Sequence, residues 1–192
     1  MKCGNLMIEM LTAYLTLSHS VRLQKRFIKV NIKNELDLFN QQFPVSTKSL
    51  NKIYNYYGMG VPAILGLLYG LPLGRKINEE ERYALTYLGA LTGIIDDAFD
   101  EHTIDIDRVW LYLNNPAGFE PCSNYEQLLQ FMGSKVLKFL PPQHIEAFFE
   151  DAIQVFKVQE ESILQKGMEV QYTALYRVTR VKGGLPFILY RY

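Results

Sequence analysis

Apolar side chains recur at three- and four-residue steps along almost the whole chain, and almost nowhere do they alternate singly with polar ones. That rhythm predicts helices and no strands. In residues 5–40 the apolar positions Ile8, Leu11, Leu15, Val21, Ile28 and Ile32 follow it up to the breaker Pro44. Ser46 can cap a second helix before Leu50, Ile53 and Tyr54, and Pro62 can open a third that closes at Gly70, Pro72 and Gly74. Asn78 with Glu81 three residues on has capping-box spacing, and Glu79, Glu80 and Glu81 suit the positive start of a helix expected over about 79–101. Further helices are expected at 105–114 and 124–139, from the Pro-Pro pair at 141–142 to Gln165, and over 168–192 around Gly183 and Gly184. With no repeat and no low-complexity linker, residues 1–192 read as one all-α domain.

Composition narrows the picture. A chain of 192 residues that is 48% apolar can bury a sizeable core. Its 20 basic and 20 acidic side chains cancel, which excludes a charge-driven disordered chain and leaves no global basic field for nucleic acid. Cys3 and Cys122 neither build a disulfide framework nor match paired zinc-ligand spacing, so a reducing, cytoplasmic setting is expected. Glu9 interrupts the apolar run 6–17, and no signal-peptide cleavage site follows it. The uncharged stretch 58–74 spans 17 residues, five of them Gly and two Pro, short of the roughly 20 apolar residues a membrane-spanning helix needs. No transmembrane segment is expected. Arg22, Lys25, Arg26, Lys29 and Lys33 lie in an acid-free stretch that reads as a solvated face or as a weak contact with an anionic membrane surface. His19, His102 and His144 share no metal-ligand spacing.

Candidate chemistry concentrates at the end of the 79–101 helix, in Asp96-Asp97-Ala98-Phe99-Asp100-Glu101. On a helix Asp96 stacks over Asp100 and Asp97 over Glu101, and like charges at that spacing cost a few tenths of a kcal/mol per pair. Carboxylates at the negative end of a helix dipole cost about 0.3–1 kcal/mol more each. A hard divalent cation reverses both effects. Mg²⁺ takes oxygen ligands from one or two carboxylates, keeps several waters and fills its shell with phosphate oxygens. The bland alternative is a solvated acidic helix end. Against it stands the uncharged run from Tyr83 to Ile95, which a surface helix would not carry, so the helix is expected to be interior with its acidic end opening into a cavity.

These residues resemble the aspartate-rich motif of the class I isoprenoid (terpene) synthases. The resemblance implies an all-α helical bundle around a central cavity, in which Asp96, Asp97 and Asp100, with Glu101 as a fourth candidate, bind Mg²⁺ and through it the diphosphate of an allylic prenyl substrate. The segment Tyr172–Pro186 is similar to the broken helix of the terpene cyclases, which implies Arg180 as a diphosphate sensor and Gly184 as the position exposing a backbone carbonyl. Arg177 is the alternative sensor, and Lys182 a further cation for the same charge. Arginine's planar multi-donor head suits phosphate, and glycine permits close backbone approach. The family's second metal motif would follow some 40 to 50 residues beyond the sensor, so residues 1–192 are expected to be the N-terminal two thirds of a longer domain.

Asp96 and Asp100 also satisfy the Asp-x-x-x-Asp pattern of squalene and phytoene synthases, which makes a head-to-head coupling enzyme the nearest rival to a cyclase. A non-catalytic helical protein that binds an isoprenoid or a partner chain is the third reading, and a homodimer is compatible with all three. Tyr54, Tyr56, Tyr57, Phe99 and Tyr176 are candidates to line a cavity that stabilises a carbocation by cation–π attraction, or simply core.

Overall fold

In a computed structural model the chain is all-α. The structure describes residues 2–164 apart from 71 and 73, together with Leu189. Among these residues there is no strand, and eight α-helices follow in order: α1 (Lys2–Phe27), α2 (Lys33–Gln42), α3 (Thr47–Lys52), α4 (Gly58–Gly70), α5 (Glu79–Glu101), α6 (Ile106–Asn114), α7 (Asn124–Phe139) and α8 (Ile145–Leu164). The chain divides into two compact units, residues 1–90 and 91–192, with the boundary inside α5. No helix among the described residues is long and apolar enough to cross a membrane.

Local chemistry explains most helix ends. At the start of α5 the Asn78 side chain accepts from the Glu81 amide at 2.8 Å while Glu81 accepts from the Asn78 amide at 2.7 Å, a reciprocal capping box. Ser46, Asp105 and Ser123 cap α3, α6 and α7 in the same way, each taking an otherwise unpaired amide of the first turn. The helical stretch expected over 5–40 is two α-helices joined by a π-helical turn, Ile28–Ile32, whose first and last residues are both buried.

One expectation is corrected in the first unit. Pro62 does not open α4: the helix begins four residues earlier, running on from a second π turn at Ile53–Tyr57. A proline inside a helix has no N–H for the carbonyl four residues back, which here is that of Gly58. The side-chain amide of Gln24, on α1, donates to that carbonyl at 2.8 Å. Along α1 the apolar positions Ile8, Leu11 and Leu15 are 64%, 58% and 54% exposed, whereas Phe27 and, just beyond it, Ile28 and Ile32 are buried. Arg22, Lys25, Arg26, Lys29 and Lys33 are all exposed.

Gln24 is fully buried and holds three elements together. Its amide nitrogen also donates to Thr86 Oγ1 at 2.8 Å, and its oxygen accepts from Arg82 Nη1 at 2.9 Å, both residues on α5. One turn earlier on α1, Ser20 donates to the Ala63 carbonyl of α4. Helices α4 and α5 approach closely at Gly89, where a Cβ would lie 2.5 Å from the Tyr57 carbonyl oxygen and 2.9 Å from Val61 Cβ.

The second unit packs the C-terminal part of α5 with α6, α7 and α8 around aromatic rings. Tyr112 meets Phe119 and Phe149 edge-on at 5.3 and 6.3 Å between ring centres, over Leu128, Leu129 and Met132, all buried. Arg108 on α6 donates to Glu126 Oε2 on α7 at 2.7 Å and to the Glu120 carbonyl, and its head lies 4.8 Å from the centre of the Phe119 ring. The same carboxylate oxygen of Glu126 accepts from the Cys122 amide at 2.9 Å.

Two outcomes follow. Gln24→Leu strands the Gly58 carbonyl and removes the acceptor for Arg82, at about 1–3 kcal/mol per buried unpaired group; a urea titration should show a loss of about 2–4 kcal/mol. Burial raises the Glu126 carboxyl, but hydrogen bonds from Arg108 and from the Cys122 amide and thiol outweigh it and hold the pKa below the usual 4.5. A depressed folded pKa gives stability that is present above the unfolded pKa and lost as pH falls through the folded value. Acid titration of the fold followed by circular dichroism should therefore lose stability below about pH 4.5, more steeply in the native chain than in Glu126→Gln.

Candidate functional site

Helix α5 is buried on almost every side from Leu85 to Phe99, only Thr92 and Asp96 being half-buried. This bears out the interior helix read from its uncharged run. An apolar cylinder of this kind places its acids where the surrounding helices stop covering it. Asp97 is buried at 9% exposure, Asp96 is half-buried, and Asp100 and Glu101 are exposed. The motif thus crosses from interior to surface within six residues.

Asp96 is held from across the unit. Gln159 of α8, itself buried, donates its side-chain amide to Asp96 Oδ1 at 2.5 Å. Between the acids, Phe99 points inward, stacked on Phe156 at 6.3 Å and edge-on to Trp110 at 6.1 Å. The acidic turn therefore stands on an aromatic floor. Helix α5 stops at His102, which adopts a left-handed backbone with φ of 53°. A non-glycine residue there costs roughly 1–2 kcal/mol, although histidine tolerates it better than most. Beyond it the Thr103 hydroxyl is buried with no hydrogen-bond partner among the described residues.

Metal fit can be judged from the donors. Asp96 and Asp100 supply hard oxygens one helical turn apart, which suits an ion that needs one or two protein carboxylates and shares the rest of its shell with water and phosphate. Among the described residues no group of three His, Cys, Asp or Glu side chains gathers as a metal cage. Two carboxylates one turn apart do not make a closed structural metal site.

The remaining expected residues fare differently. Arg177, Arg180, Lys182, Gly184 and Tyr176 lie outside the described residues. Tyr54 is occupied by Asp37, to which it donates at 3.1 Å, and Tyr56 is 70% exposed and lines no interior. Of the aromatic candidates, Phe99 is the one seated beneath the acids. Gln159 was not anticipated, yet it had a signal: it continues the apolar stripe Phe148, Ala152, Val155 of α8 as its one polar member, and a polar group in a buried stripe implies a partner.

A cavity of about 410 Å³ lies in the first unit, walled by α1, α4 and the segment 74–77, with Arg82 from the first turn of α5. None of the four acids lines it. Searches of protein-family models, curated proteins and solved structures gave no match to this chain.

The left-handed residue offers a direct test of the helix end. His102→Gly removes the steric cost at that position, and thermal unfolding should show a gain of about 1 kcal/mol, offset in part by glycine's greater freedom when unfolded.

Proposed function

We propose that this chain belongs to the class I isoprenoid synthase type and uses Asp96, Asp97 and Asp100 to grip Mg²⁺ and a prenyl diphosphate, releasing diphosphate from an allylic substrate. The observation that carries the reading is the course of α5: an interior helix that brings a run of acids out of an aromatic core in consecutive turns, against both its own dipole and like-charge repulsion.

The roles divide by position. Asp96, which accepts from Gln159, and Asp100 one turn further out would hold the ion through carboxylate oxygens, and Asp97 would add negative charge from the buried side. Glu101, exposed at the last position of α5, is a fourth donor. Bound there, Mg²⁺ would supply Lewis-acid stabilisation of the negative charge on the leaving diphosphate. Arg180, with Arg177 or Lys182, would neutralise the same charge from the protein side, and Gly184 would admit the substrate to the backbone. Phe99, Trp110 and Phe156 are the aromatic rings packed next to the acidic turn, and a carbocation formed there would be drawn to such rings.

Cyclisation and head-to-head coupling begin with the same ionisation, so the first experiment addresses the shared step. Geranyl, farnesyl and geranylgeranyl diphosphates are incubated with the chain in the presence of magnesium or of a chelator, and both binding and diphosphate release are followed. Release and binding should depend on magnesium, and Asp96→Asn with Asp100→Asn should lower the rate by about 100-fold or more, the usual scale for losing transition-state charge stabilisation. Equal behaviour with and without the metal ends the proposal, and analysis of the hydrocarbon product separates cyclase from coupling enzyme.

A further inference from the structure

The cavity of the first unit carries chemistry that the acids do not use. Its walls are mainly apolar: Leu23 of α1, Pro62 and Leu67 of α4, and Ile77 ahead of α5. At about 410 Å³ it has the size of a small-molecule pocket. Among the described residues its charged lining is of one sign, for Arg75, Lys76 and Arg82 border it and no carboxylate does. Glu81, the acid nearest in sequence, is already gripped by Arg75 through two hydrogen bonds of 2.5 and 2.8 Å.

Arg82 is the informative cation. It is half-buried, it donates one N–H to Gln24, and its head lies 5.8 Å from the centre of the Phe27 ring. Among the described residues no carboxylate pairs with it. A partly desolvated guanidinium whose one hydrogen bond among the described residues goes to a neutral amide is an unusual thing to keep in a fold. Lys76 and His19, exposed at the rim, likewise have no side-chain partner among the described residues.

We propose that this cavity binds a single-chain amphiphile with an anionic head, the tail against Leu23, Pro62, Leu67 and Ile77 and the head at Arg82 and Lys76. Both halves of the ligand are required by the lining. A neutral hydrocarbon would leave Arg82 uncompensated, and a small inorganic anion would leave the apolar walls wet. The site is separate from the one assigned to diphosphate ionisation, since Arg82 and Asp96 stand fourteen residues apart on α5.

Binding is measured by titration calorimetry on the chain with magnesium chelated, using laurate, farnesyl monophosphate, dodecyltrimethylammonium and inorganic phosphate as separate probes. Laurate or farnesyl monophosphate should bind at least tenfold more tightly than the ammonium amphiphile and than inorganic phosphate; whichever of the two is tighter identifies the source as a fatty acid or a prenyl phosphate. Arg82→Gln should weaken that binding at least tenfold, and Leu23→Trp, a filling substitution at a part-exposed position, should abolish it. Asp96→Asn with Asp100→Asn should leave it unchanged, which keeps its outcome apart from that of the metal site. Should Arg82→Gln fail to fold, the exposed rim variant Lys76→Gln with His19→Gln takes its place. Equal affinity for the cationic amphiphile, no binding of either anionic one, or full binding by Leu23→Trp overturns the proposal.

Discussion

The covering of α5 on nearly all sides is the constraint from which most of the chemistry follows. From Leu85 to Ile95 the helix carries no charge and is buried at every position except the half-buried Thr92. Polar function is pushed to the two ends. At the start are the capping box of Asn78 and Glu81 and the half-buried Arg82; at the finish are four acids in six residues. Position along one helix, rather than proximity in sequence to a loop, decides where ligands can be met.

In each unit a few buried polar side chains are shared between elements. Gln24 occupies the carbonyl that Pro62 leaves free, and so repairs a defect in α4 while tying α1 to α5. In the second unit Glu126 serves one oxygen to Arg108 and to the Cys122 amide, joining α6 to the approach of α7. Gln159 does the same between α8 and Asp96. Removing one partner in such sets leaves the others buried and unpaired, which is more costly than the single bond suggests.

The helices were legible in the sequence because their determinants are local. Capping residues Asn78, Ser46 and Ser123 act within one turn, and the bounds of α5 and α7 follow from them. Tertiary facts were less so. The apolar face of α1 reads the same whether Ile8 and Leu15 are covered or not, and the structure leaves both exposed. Pro62 looked like a helix start because the rule for proline is local, while the compensation from Gln24 comes from thirty-eight residues away. The acid run itself was plain in the sequence. Its graded exposure, the hold of Gln159 on Asp96 and the left-handed His102 required packing to be seen.

Electrostatics along α5 ties the two candidate sites to one argument. A helix carries roughly half a positive charge at its start and half a negative charge at its end. Glu79, Glu80 and Glu81 match that field, whereas Arg82 in the same turn opposes it, and Asp96 to Glu101 oppose it at the other end. Each mismatch is worth about 0.3–1 kcal/mol, small beside the burial of the helix, which is why the fold can carry them. Their signs are the informative part. An anion beside Arg82 and a divalent cation beside the acids would each meet charge of the opposite sign, which a charge-neutral ligand could not do.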